Sequence, residues 1–231
     1  MNYLLDPCDP KNAPLLNLLK CGADIREDSE DRLVIELNGL FAAAGRADRS
    51  DLFRGALMAL CTEEEPAKKM FAEGCFESMF ACTQYAYLCD PFDVRAPEGV
   101  TLRRLTEADV PFLCEHYHHP SATPRHMRER VAVCMIGAFI DEKCAGFAGI
   151  HEEDAIGMLE VLPEYRGRGI AKALTGELIN YQLSRGHIPY TQVRLGNTVS
   201  MHLQESLGFT AAKSPVCWLC KDSLYTKSKL R

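Results

Sequence analysis

The stretch LEVLPEYRGRGIA, residues 159–171, concentrates the residue types best suited to holding a phosphate. A strand-like run ends at Leu162, a helix-like run begins near Gly169, and Arg166, Gly167, Arg168 and Gly169 lie between them. A loop of this kind presents several backbone N–H groups at the positive end of a helix, which suits a pyrophosphate. Glycine lets the backbone approach an anion without a Cβ in the way, and the arginines supply charge-assisted bonds at the rim. No G-K-[S/T] is present after the loop and G-x-G-x-x-G is absent, so neither a Walker loop nor a dinucleotide fingerprint accounts for it.

Other reactive groups sit nearby in sequence. Glu160 is a charge inside an otherwise apolar strand, which calls for either a partner or a chemical role. His151, Glu152, Glu153 and Asp154 cluster at a strand end and read mainly as a solvated turn. His116, His118 and His119 close a helix, with Arg125 and His126 after them. An ordinary loop, an acceptor wall and a zinc site are the three readings, the last lacking a fourth ligand; no metal is expected. Cys217 and Cys220 form the only C-x-x-C, but on a strand, where residues three apart face opposite ways.

These groups need elements to place them. Residues 100–104 read as a strand, and Thr106 with Asp109 as an approximate capping box for a helix reaching about Tyr117. A helix over 124–131 and strands over 134–140, 144–151 and 155–162 come next, with charged turns between the strands. Ile170, Leu174, Leu178 and Tyr181 share one face of a helix over 170–184, capped by Gly186. A strand over 188–195 leads to a helix capped by Asn197 or Thr198 and stopped by Gly208. Strands over 209–213 and 216–220 close this part.

Before the Pro/Gly-rich stretch at 90–99 the pattern predicts a helix over 13–21. A hairpin comes next at 32–44 around Asn38-Gly39, then a helix over 62–74 and a strand over 75–88. The expectation is a mixed α/β (α+β) fold: a smaller α/β unit over 1–95 without recognised motif, a main domain over 99–223, and a basic tail over 224–231.

The 231 residues carry a net charge of −6, so there is no general basic field for nucleic acid or an anionic membrane. No apolar run approaches the ~20 residues of a membrane span, and residues 1–10 lack a signal core. Eleven scattered cysteines, an odd number, suggest a reducing cytoplasm.

The chain resembles the GCN5-related N-acetyltransferase superfamily. Arg166, Gly169 and Ala171 match its R/Q-x-x-G-x-G/A signature, and Asn197 through Leu207-Gly208-Phe209 match its later Asn…L-G-F element. The likeness covers about Gly99 to Cys220, and VLPEYRGRG with Asn197, Ser200 and Gln204 is most similar to the glycine N-acyltransferase-like branch. The resemblance implies that acetyl-CoA, or another short acyl-CoA, is the co-substrate. It implies that the pantetheine arm pairs with Leu159 and Val161 at the end of the strand closing on Leu162, where it splays from the 188–195 strand. By the same likeness the pyrophosphate rests on amides of Gly167, Arg168, Gly169, Ile170 and Ala171 beside Arg166, and Asn197 and Ser200 flank the arm. A backbone N–H near Val161 is the implied oxyanion donor. The position of the family's frequent acidic tyrosine holds Gln204, and that of a frequent glutamate holds Ala155, leaving Glu160 as the nearest carboxylate; Glu160 and Gln204 are the catalytic candidates, with Tyr190 a distant substitute. The expected function is acyl transfer to a primary amine, a small molecule or amino acid. The N-terminal unit would cover the acceptor side or form a homodimer contact. A non-catalytic acyl-CoA-binding module and a protein or peptide acetyltransferase are the alternatives.

Overall fold

A computed structural model describes residues 4–119 and 121–221; the tail expected over 224–231 lies outside them. Two sheets organise the molecule. One is four-stranded in the order β6-β7-β8-β9, made of Thr101–Arg104, Met135–Ile140, Lys143–Ile150 and Ile156–Val161, all antiparallel. The other runs β1-β2-β3-β4-β12-β5-β10, from Asp24–Asp28, Arg32–Leu37, Leu40–Gly45, Met58–Cys61, Val216–Cys220, Ser78–Ala86 and Tyr190–Arg194, with β11 (Thr210–Ala211) also on β5. Among the described residues only β3 and β4 pair in parallel.

The sheet crosses the boundary expected at 90–99. β5 takes β10 on one edge and β11 and β12 on the other, and β12 separates β4 from β5. The stretch 1–95 therefore shares its sheet with the C-terminal strands rather than closing one of its own. Asn17 of α1 (Ala13–Lys20) adds a second tie: its amide donates to Asp154 Oδ2 and Ile188 O, each at 2.9 Å, and Ile188 N–H returns a bond to its Oδ1.

Helices cover both faces of each sheet. α1 packs Leu15 and Leu18 against β2 and β3, while α2 (Glu64–Ala72) buries Ala67 and Met70 on the opposite face. α3 (Val110–His116) and α4 (Pro124–Val133) lie on one face of the smaller sheet through Leu113 and Met127, and α5 (Ile170–Ser184) covers the other. Ile170, Leu174 and Leu178 of α5 are each at most 1% exposed, and full burial of such side chains contributes about 1.5–3 kcal/mol apiece. α6 (Thr198–Leu207) runs beside β10 and ends at Gly208.

Local signals explain most boundaries. Asn38 and Gly39 both take positive φ, 52° and 83°, as the two-residue turn of the β2–β3 hairpin requires. Asp109 reaches back to accept from Thr106 N–H at 2.7 Å and from its hydroxyl at 3.1 Å, and Arg103 clamps the same carboxylate at 2.8 and 3.0 Å. β1 and β4 were not expected. β1 carries the sequence DIRED and its residues are exposed apart from the half-buried Glu27, so it has no hydrophobic alternation to read. The four residues of β4 are too few to show a period. Cys217 and Cys220 point to opposite faces of β12 in the buried core, and burial pushes the Cys217 thiol up to about 11, so it is no redox pair.

Candidate active site

The two sheets meet along β9 and β10, edge strands that are neighbours without sharing a ladder. They run alongside each other from a common start: Tyr190, at the head of β10, donates its hydroxyl hydrogen to the carbonyl of Glu153, just before β9. On β9, Leu162 N–H bonds to Ala145 O at 2.9 Å, which puts Val161 opposite Gly146 at a non-hydrogen-bonded position. The Val161 backbone groups therefore point away from β8 and toward the gap. Its carbonyl is taken by Arg166 Nε at 2.9 Å, which leaves the N–H as the strand's available donor there.

The loop after β9 ends in α5. Gly167 and Gly169 hold φ of 74° and 82°, and Gly169 is the N-cap. Among the described residues no hydrogen bond is donated by the backbone N–H groups of residues 167–171. A Cβ on Gly167 would point into open space, so this cradle is open to solvent. Free donors at a helix N-terminus in a glycine-lined loop fit a diphosphate such as that of coenzyme A. The arginines are placed differently from the expectation of a phosphate rim. Arg166 Nη2 pairs with Glu160 at 3.3 Å, and Arg168 donates to Glu164 O at 3.2 Å and lies over the Tyr165 ring. Asn197 caps α6 by accepting from Ser200 N–H at 3.2 Å, so both residues stand at the mouth of that helix beside the end of β10.

Beside the gap lies a cavity of about 730 Å³. Its floor is one face of the large sheet, where Arg194 stands opposite Cys82 and Trp218 opposite Phe80. Gln192 bridges this floor: its Oε1 accepts from Trp218 Nε1 at 2.7 Å and its Nε2 donates to Gln84 Oε1 at 2.9 Å. The opposite wall comes from the loop after α3, from α4 and from the β8–β9 turn: Tyr117, His119, Ser121, His126, His151, Glu152 and Glu153. Ala155, Ile156 and Gly157 of β9 complete it.

Two features order this wall. Met158, in the irregular part of the β8–β9 pairing, has φ of 50°, and its N–H donates to His151 Nε2 at 3.2 Å. The His151 ring fits only because residue 157 is glycine: a Cβ there would lie 2.3 Å from Nε2. His126 Nδ1 sits 3.3 Å from Glu152 Oε1, and this hydrogen bond holds the Glu152 carboxyl below its usual range against the opposing effect of burial.

The sequence-derived candidates separate here. Glu160 does not line the cavity; its carboxylate is held by Arg166, the partner its strand position called for. Gln204 is buried on α6 with its Oε1 unpaired, also away from the cavity. Tyr190 is fully enclosed and its pKa is raised well above the ordinary value by burial, so it is core. Of the helix-end histidines, His119 and His126 reach the cavity, His116 stacks on Phe112 and Arg125 pairs with Glu129. The turn expected to be solvated is exposed at Glu152 but half-buried at His151 and Glu153 and buried at Asp154. Asp154 is 5% exposed, bonded to Asn17, Arg185 and His187, and the other three members face the cavity. Gln192, Arg194, Phe80 and Trp218 were missed altogether. The available signal was the polar pair at 192 and 194 on one face of the 190–194 strand.

Comparisons with known proteins bear on the fold and on the segment 101–209. The model of the acetyltransferase (GNAT) family matches residues 101–209. The N-alpha-acetyltransferase RimI of Mycobacterium tuberculosis is 33% identical over 81 residues, 32% of this chain and 50% of that protein. An uncharacterised protein of Mycobacterium leprae is 36% identical over 83 residues, 33% of this chain and 23% of that protein. The chain thus spans half or less of the curated relatives it matches. A putative GNAT acetyltransferase structure from Novosphingobium aromaticivorans superposes with a TM-score of 0.59 at 21% identity, covering 92% of this chain and 99% of that one. A Drosophila protein gives 0.61 at 13%, covering 92% and 88%, so the fold is shared well beyond the matched segment. Residues 101–209, with their glycine cradle and parted strands, match the acetyltransferase (GNAT) family.

Proposed function

We propose that this protein transfers an acetyl or other short acyl group from acyl-CoA to the primary amine of a small molecule, by direct attack. The observation that carries the reading is the cavity lined by both β9 (Ala155, Ile156, Gly157) and β10 (Gln192, Arg194), in a chain whose β9 leads into the cradle at residues 167–171. Its volume of about 730 Å³ falls in the range of small-molecule sites. Bound acyl-CoA supplies an activated thioester carbon. The protein's own groups then orient the amine, remove its proton and stabilise developing negative charge.

The Val161 N–H, directed into the gap, is the donor for that charge. His126 is the group for the proton. Glu152 engages Nδ1, which favours the tautomer with its hydrogen on Nδ1 and leaves Nε2 as the nitrogen able to take a proton. The amine nitrogen forms the C–N bond, its proton passes to His126 Nε2, and the C–S bond breaks to release the thiolate. Thiol release from acetyl-CoA, followed with a thiol-reactive dye over a panel of free amines and amino acids, tests this directly. Binding of acetyl-CoA without thiol release on any amine or peptide would favour a non-catalytic module.

A second reading is supported by the likeness to RimI, whose name is that of an N-alpha-acetyltransferase. Acceptance of protein N-termini predicts acetylated peptides by mass spectrometry and no turnover of free amines. The walled cavity favours the small molecule.

A further inference from the structure

The β8–β9 turn carries more bonds than its backbone requires. Asp154 N–H donates to His151 O at 3.1 Å and His151 N–H to Ala155 O at 2.8 Å, so Glu152 and Glu153 stand at the corners. Asp154 then takes φ of 71°, a left-handed conformation for which glycine is the usual residue. The position holds instead a carboxylate on a residue only 5% exposed. Its Oδ2 accepts from Asn17 Nδ2 at 2.9 Å and from His187 Nδ1 at 2.7 Å, and its Oδ1 from Arg185 Nη1 at 3.0 Å. Gln182 Nε2 donates to the Asp154 carbonyl at 2.7 Å, and the Tyr190 hydroxyl donates to that of Glu153.

These partners stand on elements that are packed independently of the turn. α1 is held through Leu15 and Leu18, and α5 through Ile170, Leu174 and Leu178. Neither Asp154 nor any of the side chains that bond to the turn from these elements lines the cavity. The corner residues do line it, and Glu152 Oε1 lies 3.3 Å from His126 Nδ1. His126 is fixed from its own side, because the next residue, Met127, is fully buried and seats α4 on the smaller sheet. The distance between the two groups is therefore set by where the turn is pinned. A left-handed backbone kept at a buried charged residue, beside a candidate site, marks a constraint that serves the site.

We propose that Asp154 is a positioning residue: it pins the β8–β9 turn in the setting that lays the Glu152 carboxylate against Nδ1 of His126. It acts through Glu152 and touches no substrate. The inference rests on the reading of His126 as the proton acceptor and extends it to a residue outside the cavity. Asp154→Asn is the sharp probe. It keeps the side-chain shape and tolerates a left-handed backbone, but it replaces one accepting oxygen with a donor that meets another donor.

Nitrogen NMR of the neutral histidine rings and thiol-release kinetics test this on wild type, Asp154→Asn, Glu152→Ala and the double variant. Wild type should show His126 with its hydrogen mainly on Nδ1. Glu152→Ala and Asp154→Asn should both lose that bias. Asp154→Asn should also lower kcat by up to about 10²-fold with the KM for acetyl-CoA unchanged, and should add nothing to the loss in Glu152→Ala. A role in stability alone predicts additive losses instead. Coenzyme A titration verifies the fold of each variant. Arg185→Gln, at a side chain 32% exposed, removes one bond to Asp154 and should show the same NMR shift in smaller measure. No Nδ1 bias in wild type, a bias retained in Asp154→Asn, additive losses in the double variant, or wild-type turnover in Asp154→Asn would each overturn the proposal. If Asp154→Asn does not fold, an unchanged bias in Arg185→Gln overturns it. The acyl-transfer reading fails separately. A bias lost in both single variants, with no thiol release by wild type on any amine, keeps the positioning and removes the reaction. Thiol release indifferent to both substitutions, with the bias unchanged, does the reverse.

Discussion

Gly157→Ala is the sharpest probe of the cavity wall. The substitution adds one methyl group at a position with ordinary backbone angles, so an unfolded-state gain of about 0.4–1 kcal/mol is expected where space allows. Here space does not allow it. The new Cβ would lie 2.3 Å from His151 Nε2 and 2.4 Å from Cδ2, so the ring must leave. Its departure breaks the Met158 N–H bond, at a cost of about 1–3 kcal/mol for a donor left unsatisfied. Displacing a packed ring adds about 1–3 kcal/mol. The net expectation is a destabilisation of about 3 kcal/mol, read by urea unfolding. A double-mutant cycle isolates the cause: in a His151→Ala background the clash and the bond are already gone, so Gly157→Ala should be neutral or slightly stabilising. Additive effects of the two substitutions, or a Gly157→Ala protein as stable as wild type, would refute the claim that residue 157 is glycine to seat His151.

Three further outcomes are expected. Gly169→Glu should abolish acetyl-CoA binding in calorimetry, because it puts a carboxylate and a Cβ with φ of 82° at the N-cap of α5; retained affinity would remove the cradle as the phosphate site. His126→Gln should lower kcat by about 10²–10⁴ with little change in the KM for acetyl-CoA, and an unchanged kcat would end the proton-acceptor role. Asp109→Asn should lose about 1–2 kcal/mol at pH 7 through the cap and its arginine clamp. The Asp109 carboxyl is depressed to about 2 by Arg103, so its contribution is full above the unfolded value of roughly 4. It is lost as pH falls through the folded value, and the wild-type advantage in denaturant midpoint should fade between about pH 4 and 2; a constant difference would refute it.

How much the sequence made legible depends on the range of the forces involved. The 170–184 helix, the Asn38-Gly39 hairpin and the Thr106–Asp109 cap are set by contacts within a few residues, and each forms where its local pattern places it. The cradle at 167–171 is legible for the same reason, since loop and helix start are contiguous. The cavity is not contiguous. Arg194 faces Phe80 across more than a hundred residues, and Trp218 reaches Gln192 only because β12 lies beside β5. Pairings of that separation leave no periodic trace in either strand. Glu160 misled for a related reason: a charge in a strand signals a partner or a role without distinguishing them, and Arg166, six residues on, is the partner.

The position of β12 has a consequence for how the chain comes to be made. β5 has every one of its ladder partners in the last third of the sequence, and β4 lacks its second neighbour until residues 216–220 exist. A nascent chain that has emerged only as far as residue 100 therefore carries two strands with open edges, the kind that recruit other chains. Closing them requires bridging well over a hundred residues, a slow event compared with local helix formation. Synthesis of this protein should depend on chaperone protection until its end is reached, and deletion of 216–220 should leave aggregated chains rather than a folded N-terminal fragment.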